Sequence, residues 1–293
     1  MRATLAFVAR RLPLLVVIGT LVLTTSAHAQ VARTPRSPDA PRVTFAAAIM
    51  VGLGLALAVG DVDPARTWGG NPFDDAIRDG LRLSDVGART AIARASDVMV
   101  GGLLAYGGIV DGLAVPLVQG DPELAWQGTA AYALAIGVTL TLDSLVKYVA
   151  ARERPVERCA ASMAADCGAA SSGASFYSGH SAISFASAGA SCAIHLERGL
   201  YGDAVADGAA CGVSLLAATT VGLFRILADQ HYFTDVLVGA AVGFVAGYLI
   251  PMWLVPRRVA VPSTPSASVM VVPTASLGAA GLDNVGLSAL GAF

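Results

Sequence analysis

Lys147 is the only lysine in the sequence, and Arg154 follows it at seven residues, with Pro155 directly behind. A separation of seven returns to the same helix face, so both cations can point at one anion. Pro155 then closes the helix, leaving Arg154 at its exit. Arginine grips phosphate as a planar fork, while lysine acts as a point charge. Taken alone, the pair also fits two solvated charges at a helix end. Ser178-Gly179-His180 forms a second group. Ser178 suits a helix N-cap and Gly179 lets backbone approach a ligand, while the free N–H groups of a helix start attract anions. An ordinary cap is the plainer reading of that triplet in isolation. The third group is Arg225, then His231 six residues on, then Asp235 four beyond. In a helix His231 and Asp235 share a face, so the carboxylate can accept from one ring nitrogen and leave the other bare and nucleophilic. A satisfied core His–Asp pair competes evenly with that reading. His195, beside Glu197 at a helix end, is read as structural.

The elements that must carry these groups are apolar. Hydrophobic residues make up 55% of the 293 and charged residues 14%, and the mean hydropathy is +0.65. A soluble domain carries about a quarter charged residues. Six long apolar segments stand out, at Thr44–Gly60, Val98–Val118, Leu124–Ala150, Ser181–Leu196, Val205–Phe224 and Val236–Val255. They are too long for strands and do not alternate, so an all-α, six-helix bundle associated with a membrane is expected. Gly239, Gly243 and Gly247 place a stripe on one face of the last helix, where a neighbour can approach closely. The net charge of −2 offers no basic surface for nucleic acid. The chemical groups fall at helix ends, where a bundle can gather them.

Together the three groups resemble the type-2 phosphatidic acid phosphatases, a superfamily shared with vanadium haloperoxidases, whose pattern is K-x6-R-P, then P-S-G-H, then S-R-x5-H-x3-D. The chain reads Lys147-x6-Arg154-Pro155, Tyr177-Ser178-Gly179-His180 and Phe224-Arg225-x5-His231-x3-Asp235. Tyr177 stands in place of proline and Phe224 in place of serine; no cation, acid or nucleophile is lost. The resemblance implies a metal-independent phosphatase without a cofactor. His231 would attack phosphorus, oriented by Asp235, and His180 would protonate the leaving oxygen and then activate water. Lys147, Arg154, Arg225 and the amides near Ser178 and Gly179 would hold the phosphoryl oxygens. A lipid phosphate or pyrophosphate is the expected substrate; a soluble periplasmic acid phosphatase on small esters, a vanadate-dependent haloperoxidase and a non-catalytic binding protein are the alternatives. The oligomeric state is not legible.

Arg2, Arg10 and Arg11, the apolar run Leu12 to Leu23 and Ala27-His28-Ala29 read as a signal peptide over residues 1–29. Residues 30–42 then form a linker, 43–255 the helical domain, and 256–293 a tail that is either disordered or a hairpin turning near Asp283-Asn284. Export implies an envelope location, in the inner membrane with a periplasm-facing site or in the periplasm. In that compartment Cys159 and Cys167 can pair. Cys192 and Cys211 are equally readable as buried apolar residues or as a second bridge. Three full spans would put the end of the third segment on the cytoplasmic side, so either one of the first three does not cross, with the first lying flat and the second to sixth crossing, or the bundle is not transmembrane.

Overall fold

The computed structural model describes residues 40–59, 66, 68–161, 167 and 174–255, and the backbone of 268–278 and 281–292. The expected signal peptide and nearly all of the linker lie outside them. All six expected helices form, each starting earlier than expected. They are α1 Ala40–Val59 and α3 Val86–Ala105, then α4 Pro122–Ala150, α6 Gly179–Arg198, α7 Ala204–Leu227 and α8 Phe233–Leu254. The helix α3 runs on through a π-helical stretch, Tyr106–Ala114, and a last turn to Val118. Two short helices that no apolar run announced are added, α2 Pro72–Leu81 and α5 Pro155–Ala161. Six helices is therefore a correction, to eight among the described residues. The reason is that α2 is amphipathic and charged, so its one apolar face is too short to show in hydropathy.

The termini follow ordinary capping chemistry. Asn71, Asp85, Asp121, Ser178 and Asp203 each accept backbone N–H bonds at the start of α2, α3, α4, α6 and α7. Gly199 ends α6 in the left-handed region at φ 59°. Ala151 ends α4 at φ 45°, an unusual conformation for a residue with a Cβ, and turns the chain sharply into the segment holding Arg152 and Arg154.

The helix α6 runs through the centre, flanked by α8, α7, α4 and α3. Most of its buried positions are Ala, Ser or Gly; Ala182, Ala186, Ala188 and Ala190 are fully buried. Gly239, Gly243 and Gly247 of α8 lie directly on the carbonyls of Ser178, Ala182 and Ala186, where no Cβ would fit. Here the glycine stripe serves close backbone packing. The Cys192–Cys211 disulfide ties α6 to α7, and Cys159–Cys167 closes the loop after α5. Among the described residues, four helical stretches are long and apolar enough to cross a membrane: Val86–Val118, Pro122–Ala150, Ala204–Leu227 and Phe233–Leu254. The helix α6, expected to cross, is not among them; enclosed by protein, it needs small residues rather than apolar ones.

The chain divides into two compact units, of which the helical one covers residues 34–258. In the other, β1 Ser268–Gly278 pairs antiparallel with β2 Gly281–Ala292, from Ser268 opposite Ala292 to Gly278 opposite Gly281. Asp283 and Asn284 lie inside β2, so the turn is not where it was expected. Asp283 is the extra residue at an irregularity beside Ser276 and Leu277.

Candidate active site

The end of α4, the start of α6, the end of α7 and the start of α8 meet at one end of the bundle because consecutive long helices alternate in direction. His231 sits in the short turn between α7 and α8 and is 2% exposed. Its Nδ1 lies 2.9 Å from the carbonyl oxygen of Ser175. A carbonyl can only accept, so Nδ1 carries the proton and donates it, leaving Nε2 bare in the neutral ring. That bare nitrogen faces Arg154 Nη1 at 3.4 Å. A guanidinium can only donate, which agrees with the same tautomer. Burial first, then Arg154, Arg225, Lys147 and His180, hold His231 well below the usual imidazole range. Nε2 is therefore unprotonated at neutral pH.

Asp235 stands 3.7 Å from His231 Nδ1, beyond hydrogen-bond reach. Its oxygens are committed elsewhere. Oδ2 accepts from Ser175 Oγ at 2.5 Å and from the Tyr232 N–H at 2.9 Å. Oδ1 accepts from Arg152 Nη1 at 2.6 Å. The contact read from the spacing of four is thus relayed through Ser175 rather than made directly.

Lys147 and Arg154 are both here, but α4 ends at Ala150 and Pro155 opens α5, so they do not share one helix face as their spacing suggested; the turn at Ala151 brings Arg154 to the site instead. Lys147 Nζ donates to Asp143 Oδ2, one turn back, at 2.8 Å. Gly179 packs against this pair; a Cβ there would lie 2.7 Å from Asp143 Oδ2 and 3.1 Å from Lys147 Nζ. Arg154 Nη1 also donates to the Gln230 carbonyl at 3.2 Å. Ser178 caps α6, with its Oγ accepting from the Ser181 N–H at 3.4 Å. His180 Nε2 lies 2.7 Å from Asp97 Oδ1, and a carboxylate acceptor makes this the protonated nitrogen. Arg225 Nη1 reaches Ser96 Oγ at 3.3 Å and the same Asp97 oxygen at 3.5 Å. Burial and Arg225 push His180 down to about 4, against the pull of Asp97. What the arrangement gathers is cations and a helix start around a bare imidazole nitrogen, a set suited to an anion of high charge.

His195 is elsewhere. It lies fifteen residues along α6 from His180, about 22 Å at helical rise. It is held there between Asp207 at 2.6 Å and Asp111 at 3.1 Å. The residues missed by sequence reading are Asp97, Ser175, Arg152 and Asp74. Arg152 occupies an unspecified position of Lys147-x6-Arg154-Pro155 and the other three lie outside the motifs, so their one sequence signal is polarity within an apolar chain. Tyr177, in the proline position, is 2% exposed and packs edge-on against Phe176. The expected Cys159–Cys167 pair closes the loop that follows Arg154.

The family model of the PAP2 superfamily matches residues 128–258. This stretch of the chain belongs to the PAP2 superfamily. The match covers the three motifs and the helices α6 to α8, whereas Asp74 and Asp97 come from residues before it. No curated protein matches the chain. Among solved structures, the chain is similar to the first transmembrane PAP2 type phosphatidylglycerolphosphate phosphatase, from Bacillus subtilis. The two are 19% identical over 73% of this chain and 96% of that one, with a TM-score of 0.47.

Proposed function

We propose that the protein is a phosphatase that hydrolyses phosphate esters, in first place those of lipids, through a phosphohistidine on His231. The observation that carries this reading is the committed tautomer of His231: Nδ1–H bonded to Ser175 and Nε2 bare beside Arg154. In-line attack by Nε2 forms the N–P bond as the P–O bond breaks. His180 gives its proton to the leaving alkoxide, and the same ring then takes a proton from water as it attacks phosphorus and regenerates His231. Lys147, Arg154, Arg225 and the start of α6 neutralise the equatorial oxygens, which is the task a divalent metal performs in other phosphatases. A bound phosphate dianion also reverses the field at His180, favouring its protonated, acid form.

A lipid substrate is supported by the surface beside the site. Val98 and Val149 are 76% and 81% exposed and adjoin Asp97 and the Lys147 turn. Together with the four apolar helices, they would let a phosphate reach the cations while its acyl or prenyl tail stays in the bilayer. Purified protein in detergent micelles is expected to release phosphate from phosphatidic acid in EDTA, with kcat/KM roughly tenfold or more above that for p-nitrophenyl phosphate. No release from either would overturn the proposal, and loss in EDTA would overturn the metal-free mechanism.

Asp97 is proposed to serve this chemistry by orienting His180 and raising its pKa. Asp97→Asn removes that pull, so the acid form of His180 is lost at a lower pH. The alkaline limb of the kcat profile should move down by about one pH unit. A profile superimposable on the wild type would remove Asp97 from the mechanism.

A further inference from the structure

We infer that Arg152 and Asp74 are positioning residues, forming a charged clamp that sets the direction of the His231 ring. The inference rests on the proposed role of His231. Arg152 is fully buried. Its Nη2 donates to Asp74 Oδ2 at 2.6 Å, and its Nη1 donates to Asp235 Oδ1 at 2.6 Å and to Thr234 Oγ1 at 2.8 Å. Thr234 closes the ring, donating its hydroxyl to Asp74 Oδ2 at 2.7 Å and its N–H to Asp74 Oδ1 at 3.0 Å. Arg152 Nε donates to the Gly69 carbonyl at 3.1 Å, and the guanidinium lies between the rings of Trp68 and Tyr232, at 4.4 and 4.2 Å.

The clamp reaches the nucleophile by two routes that converge on Ser175. The Arg152 carbonyl accepts from the Ser175 N–H at 2.8 Å, and Asp235, held by Arg152, accepts from Ser175 Oγ at 2.5 Å. Ser175 in turn offers the carbonyl that fixes His231 Nδ1–H. Arg78 in α2 and Arg82 at its C-cap hold Asp229 in the turn just before His231, at 2.6 and 3.0 Å. Residues 68–82 therefore brace the turn that carries His231. Burying a guanidinium and two carboxylates costs several kcal/mol per ion, and apolar packing would meet stability alone at lower cost. A ring so placed makes sense as a device that fixes geometry, because a misplacement of about 1 Å costs a reaction about 100-fold.

Arg152→Lys keeps the charge but not the fork, and Asp74→Asn keeps the shape but not the charge. With the substrate that the wild type turns over, each is expected to lower kcat about 100-fold and leave KM within about threefold. Because they act through one ring, the double variant should be no slower than the slower single variant. A normal kcat, a KM rising in step with the loss, or losses that multiply in the double variant would overturn the clamp. Should either variant fail to fold, Thr234→Val removes only the closing hydroxyl. A loss of about tenfold restored by Thr234→Ser supports the clamp, and full activity of Thr234→Val overturns it. The ring 15N shifts of His231 give a reading independent of turnover. Wild type should show a protonated Nδ1 and a bare Nε2, and Arg152→Lys a mixture of tautomers. An unchanged tautomer in that variant defeats the clamp even if the wild type proves to have no phosphatase activity, whereas absent wild-type turnover alone defeats only the proposed function.

Discussion

Replacing His231 with alanine is expected to lower phosphate release by at least about 10⁴-fold while leaving the helical fold in place. The size of the effect follows from what is removed. Without Nε2 there is no atom to accept the phosphoryl group, and the surrounding cations can stabilise charge only if an attack occurs. The ring bonds the Ser175 carbonyl through Nδ1 and accepts from Arg154 at Nε2, so its loss destabilises by about 1–3 kcal/mol. That should appear as a lowered thermal midpoint with unchanged helical circular dichroism. Incubation of the wild type with 32P-labelled substrate, quenched in alkali, should yield an alkali-stable, acid-labile phosphoenzyme that His231→Ala does not form. Turnover within tenfold of wild type in this variant would eliminate His231 as the nucleophile.

His180→Ala should separate the two halves of the reaction. The proposed acid is needed most when the leaving group is an alkoxide, as with a lipid phosphate, and turnover there should fall about 10²–10⁴-fold. A nitrophenolate leaves without a proton, so the first step on p-nitrophenyl phosphate is largely spared. Water attack on the phosphohistidine still lacks its base. The expected record is therefore a burst of nitrophenol equal to the enzyme present, followed by slow release, with the phosphoenzyme accumulating on His231. A uniform slowing on both substrates with no burst would mean that His180 does not act as acid and base. The contrast with His231→Ala is the useful feature: one variant should never be labelled and the other should stay labelled.

The six long helices were legible because sustained apolar runs without strict alternation admit few other structures. Their bounds were not, where a helix is buried in protein rather than in lipid. The first half of α3 carries Arg89, Thr90, Arg94, Ser96 and Asp97, and of these Arg89 and Ser96 are buried by neighbouring helices. The π-helical turn through Asp111 answers to contacts with His195 and Tyr201, far away in sequence. The short α2 was invisible for a related reason: its charged residues and that of its C-cap are spent on partners about 150 residues later, Asp74 on Thr234 and both Arg78 and Arg82 on Asp229.

The candidate site divides in the same way. Short-range order along the chain set the types and spacing of Lys147, Arg154, Ser178, Gly179, Arg225 and His231 and put them in or beside helix ends, but the seven-residue separation of Lys147 and Arg154 did not mean one helix face, because α4 stops at Ala150. It could not decide which acceptor His231 would find. The i,i+4 rule offered Asp235, but Arg152, 83 residues earlier, takes one of its oxygens, and Ser175 supplies the carbonyl that sets the tautomer. Nor could it bring Asp97 to His180, since that pair is made by two helices packing and by nothing periodic in either. Hydropathy, caps and motif spacing are properties of neighbours in the chain. The direction of a ring and the partner of a buried charge are settled only when distant segments compete for the same few donors and acceptors in a water-poor core.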